Sequence, residues 1–72
     1  MKNEELLIAL GRNITKFRKD RGMTTQALAD ECDIEKSNLI PIEKGKINTT
    51  VITLLKLANA LKVDVKDFFD FD

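Results

Sequence analysis

The 72-residue chain has no histidine, tryptophan or tyrosine, a single cysteine, a single proline and three glycines. Without histidine there is neither a zinc-finger ligand set nor an imidazole general base, and one cysteine, Cys32, cannot close an internal disulfide. No apolar run approaches the ~20 residues of a membrane span. The opening MKNEELL carries acids where a signal peptide carries a basic region, so a cytosolic protein is expected. Net charge is missing too: 12 basic residues face 12 acidic ones. Phosphate neutralisation supplies much of the affinity of nucleic-acid binders, and a balanced chain argues weakly for one. The distribution is more favourable than the total, with eight bases against six acids in residues 12 to 46 and three against four from residue 47 on. A solvated mixed surface fits the same distribution.

Strand-like alternation, internal repeats, low-complexity stretches and linkers are also absent, and what remains is helical periodicity. From Glu4 to Arg21, Leu7, Leu10, Ile14 and Phe17 recur at spacings of three and four, with acids early and Arg18, Lys19 and Arg21 late, as the helix dipole prefers. Gly22 is a stop signal, after which Met23 enters the core as plain packing. Thr24 caps a second helix with Thr25, Gln26 and Ala27 in its first turn and Leu28, Ala29 and Cys32 on its buried side. A corner at Asp33–Ile34 leads to a third segment from about Lys36 to Lys44. Thr50 caps a fourth helix, whose wide apolar face is Val51, Leu54, Leu55, Leu57, Ala58 and Leu61. Asp64 and Asp67 make a capping box for a last short helix, with Val65, Phe68 and Phe69 available for burial. The expected fold is all-α: one five-helix unit over residues 1–72, near the lower size at which a core alone suffices, so that dimerisation would help.

Residues 24–45 have the outline of a helix-turn-helix, in which the second helix lies against DNA while the first holds it at an angle. Backbone N–H groups at the start of the first of these helices can meet a phosphate, with Thr25 or Gln26 adding a hydrogen bond; a merely capped surface helix has the same sequence. Cys32 sits where a small residue is wanted and reads as inert packing.

From Leu10 to Phe69 the chain resembles the small helix-turn-helix domains of the phage repressor and Cro type, the family of XRE-like transcriptional regulators and restriction-modification controllers. The resemblance is carried by Leu10-Gly11, Ile14, Phe17-Arg18, Gly22-Met23-Thr24, Ala27-Leu28-Ala29, Ile34, Ile42-Glu43-Lys44-Gly45-Lys46, Thr53-Leu54-Leu55-Lys56-Leu57-Ala58, Ala60-Leu61 and Asp67-Phe68-Phe69. It implies an ion pair between Arg18 and Glu43, drawn as a planar bidentate contact tying the first helix to the end of the recognition helix. It implies base or phosphate contacts from Lys36 and Ser37, with Asn38 next along, and a backbone grip by Lys44 and Lys46 around Gly45. Thr25 falls at the matching backbone contact from the preceding helix, and Asn48 is a further contact. The partner implied is double-stranded DNA, bound by a homodimer on an inverted repeat, with no cofactor, metal, membrane or small-molecule substrate.

Three residues depart from the family pattern. Asp33 stands where glycine is common in the turn, although Asp tolerates the left-handed region better than most. Glu35 replaces the usual Ser or Thr cap and adds a negative charge. Pro41 falls inside the recognition helix, where proline costs about 3 kcal/mol and disfavours helical backbone at Ile40. The expectation is a helix kinked or broken near Leu39–Ile40, with Pro41 starting a separate turn. Catalysis has no support: Gly45-Lys46 lacks the context of a phosphate loop, and the carboxylates are scattered. The alternative to a DNA-binding regulator is a protein-interaction module, or a variant with altered DNA reading. Ile47, Ile52, Phe69 and Phe71 favour an interface, with Ile52, Phe69 and Phe71 its candidate residues.

Overall fold

The starts of the second, fourth and last helices follow from their capping residues. Thr24 Oγ1 accepts the Ala27 N–H at 3.0 Å and Thr50 Oγ1 accepts the Thr53 N–H at 3.2 Å, each satisfying a donor that a helix start leaves free. The Asp64 N–H donates to Asp67 Oδ2 at 3.1 Å, closing the last cap. The computed structural model describes residues 1–71 as α1 (Asn3–Asp20), α2 (Thr25–Cys32), α3 (Lys36–Glu43), α4 (Val51–Leu61) and a C-terminal 3-10 helix (Val65–Phe69). The fold is all-helical, and its fifth element is a single tight 3-10 segment rather than an α-helix, as suits a stretch of five residues.

All four α-helices end the same way. A residue in the left-handed region (Gly22, Asp33, Gly45 and Lys62, with φ of 66°, 55°, 71° and 58°) reverses the chain. The N–H of the residue after it reaches back to the helix: Met23 to Arg18 O, Ile34 to Ala29 O, Lys46 to Pro41 O and Val63 to Ala58 O, all within 3.1 Å. Three of those following residues, Met23, Ile34 and Val63, pack against the core. The fourth is Lys46, which stays in solvent.

The core is built from Leu10 and Ile14 of α1, Leu28, Ala29 and Cys32 of α2, Leu39 and Ile42 of α3, Leu54, Leu57, Ala58 and Leu61 of α4, and Phe68. Complete burial of a side chain such as Phe68 or Leu57 contributes about 1.5–3 kcal/mol. Asn13 Nδ2 donates to the carbonyls of Phe68 (2.8 Å) and Asp70 (3.2 Å), holding the C-terminal segment on α1. Cys32 Sγ lies 3.6 Å from the Lys56 carbonyl; burial pushes its thiol pKa up, Glu31 adds to this and Lys56 opposes it. The wide apolar face expected on α4 is only partly covered. Leu54, Leu57, Ala58 and Leu61 face α2 and the 3-10 helix, whereas Val51 and Leu55 are 70% and 46% exposed, because no element lies over that side.

Two glycines set the position of α3. A Cβ on Gly11 would lie 2.7 Å from the Ile42 carbonyl oxygen, so only glycine lets the α1 backbone run against the end of α3. A Cβ on Gly45 would lie 2.6 Å from the Ile8 nitrogen, and its positive φ independently favours glycine. Between them these contacts lock the C-terminal end of α3 and the following loop onto α1.

Candidate nucleic-acid interface

The α1–α3 crossing is held electrostatically as well as sterically. Arg18 Nε lies 2.9 Å from Glu43 Oε2 and 3.2 Å from Oε1, while Arg18 Nη1 donates to the Met23 carbonyl at 2.8 Å. In place of the expected side-by-side bidentate geometry, one nitrogen is shared between both carboxylate oxygens, while Nη1 is engaged by the α1–α2 turn. Both side chains are about nine-tenths buried, at 11% and 9% exposure. Thr15 Oγ1, within 2.9 Å of both Glu43 Oε1 and the Gly11 carbonyl, adds a second anchor that nothing in the local pattern marked out.

Next to this pair lies an open groove of about 820 Å³, bounded by the second half of α1, Thr25 at the start of α2, and Ile40, Glu43 and Lys44 of α3 and its cap. Five of the twelve cations line it (Arg12, Lys16, Arg18, Lys19 and Lys44), against two of the twelve acids, Asp20 and Glu43. Since Glu43 is neutralised by Arg18, the groove presents four free cations against Asp20 alone. A chain with no net charge is thus polarised, with its positive end at one face.

α3 runs without interruption from Lys36 to Glu43 with Pro41 inside it. The break expected at Leu39–Ile40 does not occur. Proline removes one bond, to the carbonyl of Ser37, which is an exposed residue open to water. The bonds on either side survive, Leu39 N to Glu35 O at 3.1 Å and Lys44 N to Ile40 O at 3.0 Å. Leu39 and Ile42 are buried in the core, and Glu43 is fixed by Arg18, so tertiary anchors outweigh a local penalty. Lys36, Ser37 and Asn38 form the exposed first turn of α3. Glu35 makes no cap bond to the backbone; its carboxylate accepts the Ser37 hydroxyl at 3.2 Å.

A family model described as helix-turn-helix matches residues 14–68. The chain belongs to this helix-turn-helix family. An HTH-type transcriptional regulator of Archaeoglobus fulgidus is 32% identical over 59 residues, covering 82% of this chain and 84% of its own length. The control protein C.BamHI of Bacillus amyloliquefaciens is 31% identical over 65 residues, covering 89% of this chain and 80% of its own. Among solved structures, the restriction-modification controller protein C.AhdI from Aeromonas hydrophila superposes with a TM-score of 0.85 at 27% identity, over 88% of this chain and 96% of its own.

In the helix-turn-helix, α2 and α3 are the paired helices and Asp33 makes the left-handed corner between them. The residues expected at a DNA contact do not all converge. Thr25 and Lys44 share the cationic groove; Lys36, Ser37 and Asn38 sit at the other end of α3; Lys46 and Asn48 are exposed in the loop beyond Gly45. Gln26 Nε2 is occupied along α2 by Asp30 Oδ1 at 2.9 Å. Arg12, Lys16 and Lys19, which enter the groove from α1, are not among the residues expected at a DNA contact. The signal was their spacing of four and three, one helical row on the polar side of α1. Of the three residues expected at an interface, Ile52 stands apart on α4, 62% exposed, whereas Phe69, 48% exposed, and the partly buried Phe71 meet edge to face with ring centroids 6.2 Å apart; Phe71 also borders a groove with Ile8, Ala9 and Asn13. No helix among the described residues is long and apolar enough to cross a membrane, and none of their His, Cys, Asp or Glu side chains cluster as a metal site.

Proposed function

We propose that the protein is a sequence-specific DNA-binding transcriptional regulator, acting in the cytoplasm as a homodimer on an inverted-repeat operator. The observation that carries this reading is the cationic groove beside the helix-turn-helix, which gives a chain of zero net charge a positively charged face. In this reading Lys36, Ser37 and Asn38 meet base edges, Thr25 and Gln26 meet phosphate with the N-terminus of α2, and Lys44, Lys46 and Asn48 grip the backbone. Lys16 and Lys19 extend the backbone track onto α1. No cofactor, metal or small molecule is required. The relatives named above, regulators and controllers, support the same assignment.

The competing reading is an interaction module that keeps the fold without binding DNA, and it is favoured by the exposed Val51, Ile52 and Leu55. Duplex binding measured across salt concentrations separates the two. Each lysine that neutralises a phosphate contributes about one unit to the slope of log affinity against log salt. The double variant Lys16→Ala/Lys19→Ala and the double variant Lys44→Ala/Lys46→Ala are each expected to lower the slope by about two units. An unchanged slope in both removes the phosphate track, and no duplex binding at low salt leaves the interaction module standing.

A further inference from the structure

The solvent side of α3 is chemically divided. Helical spacing places Lys36, Ile40 and Lys44 in one row and Ser37 and Pro41 in the row beside it, while Leu39 and Ile42 face the core. The first turn carries donors on Lys36 and Asn38, with the Ser37 hydroxyl turned to Glu35. The second carries none: Ile40, 37% exposed, has no polar side-chain atom, and Pro41 lacks both a side-chain donor and a backbone N–H. Because the helix is continuous through Pro41, the second turn stays in line with the first, and a surface met by one is met by the other.

For a helix seated in the major groove, the apolar group that a base pair offers is the C5-methyl of thymine; the other edge groups are donors or acceptors. Ile40 and Pro41 pressed against those polar groups would leave them desolvated and unpaired, which is unfavourable. Against a methyl they lose nothing. Lys36 and Lys44 bracket Ile40 in its row with no acid between them, so a phosphate-bearing partner suits this face better than a neutral apolar one. We propose that Ile40 and Pro41 read thymine methyl groups, making the second turn of α3 a selector for A·T pairs by apolar contact. This rests on the DNA-binding reading above and specifies what that site recognises.

The test selects duplexes from a random library with the intact protein, then resynthesises the best one with deoxyuridine replacing each thymine in turn, so that only a methyl is removed. One or two thymines per half-site are expected to show about fourfold weaker binding without the methyl, the loss that accompanies one unburied methyl group. The discrimination should vanish in Ile40→Ala or in Pro41→Ala, with thermal melting confirming that each variant is folded. A selected duplex that binds tightly but tolerates every deoxyuridine overturns the proposal, as does a penalty that persists undiminished in both variants. A library from which nothing is enriched sinks the DNA-binding reading itself and this inference with it, an outcome distinct from tight binding without methyl discrimination.

Discussion

Asp33 and Lys62 occupy left-handed positions at φ of 55° and 58° where Gly22 and Gly45 serve the other two helices. The left-handed region costs a side-chain-bearing residue roughly 1–2 kcal/mol, less for Asp than for Lys. Charge then separates the two sites. Asp33 sets a negative charge at the C-terminus of α2, against the dipole, whereas Lys62 sets a favourable positive charge at the end of α4, each effect being about 0.3–1 kcal/mol. At Asp33 strain and dipole act in the same direction; at Lys62 they oppose. Asp33→Gly is therefore expected to stabilise the fold by about 1 kcal/mol, raising Tm by roughly 4–8 °C, and Lys62→Gly by less. Equal or reversed shifts in melting experiments would show that the dipole does not order these sites. Cys32 gives a pH dependence of definite sign. Its folded pKa is raised by burial, so the unfolded chain ionises first as pH rises. The stability this contributes is complete below about pH 8.5, where an unfolded thiol titrates, and declines as pH climbs through the higher folded pKa. Cys32→Ala should melt with a shallower alkaline decline; parallel curves for the two proteins would clear Cys32 of the effect.

At the scale of elements, α3 is the helix whose local chemistry and tertiary setting disagree. Pro41→Ala restores the donor to the Ser37 carbonyl and removes the ring, yet forfeits the restriction that proline places on the unfolded chain. Because the native helix is already unbroken, the gain is that of about one hydrogen bond, ~1 kcal/mol, rather than the full ~3 kcal/mol of an interior proline. A loss of stability on this substitution, measured by denaturant titration, would mean that the proline ring packs where the helix needs it. The same helix shows where sequence reading ends. Caps at Thr24, Thr50 and Asp64, the stop at Gly22 and the left-handed Asp33 were legible because each depends on neighbours a few residues away. The continuity of α3 was not, since Leu39, Ile42 and the Glu43–Arg18 pair act through partners on other helices. Nor was the exposure of Val51 and Leu55, because periodicity describes an apolar face without saying which part of it is covered. The groove assembled from α1 cations, Thr25 and Lys44 required the close crossing that Gly11 permits.

At the scale of the whole molecule, two surfaces divide between different elements. The cationic groove is lined by α1, Thr25 and the end of α3, and no residue of α4 contributes to it. An exposed apolar patch lies on α4, where Val51, Ile52 and Leu55 are 70%, 62% and 46% exposed, with Ile47 just before it at 42%. DNA and a second protein surface can therefore be engaged together. An apolar patch on a small chain suits a symmetric contact, because one patch then covers its own copy about a two-fold axis. Such a dimer carries two recognition helices and suits half-sites one helical turn apart, roughly 34 Å. The wild-type protein is expected to sediment as a dimer at tens of micromolar. Ile52→Glu places a charge in the patch and should give a monomer, with Tm lowered only by the lost association because Ile52 is outside the core. On a duplex carrying two half-sites the variant should bind more weakly and without cooperativity, while its affinity for a single half-site stays close to wild type. Two results would remove the α4 dimer: a wild-type monomer that fails to associate even on a two-site duplex, or an Ile52→Glu protein that remains dimeric.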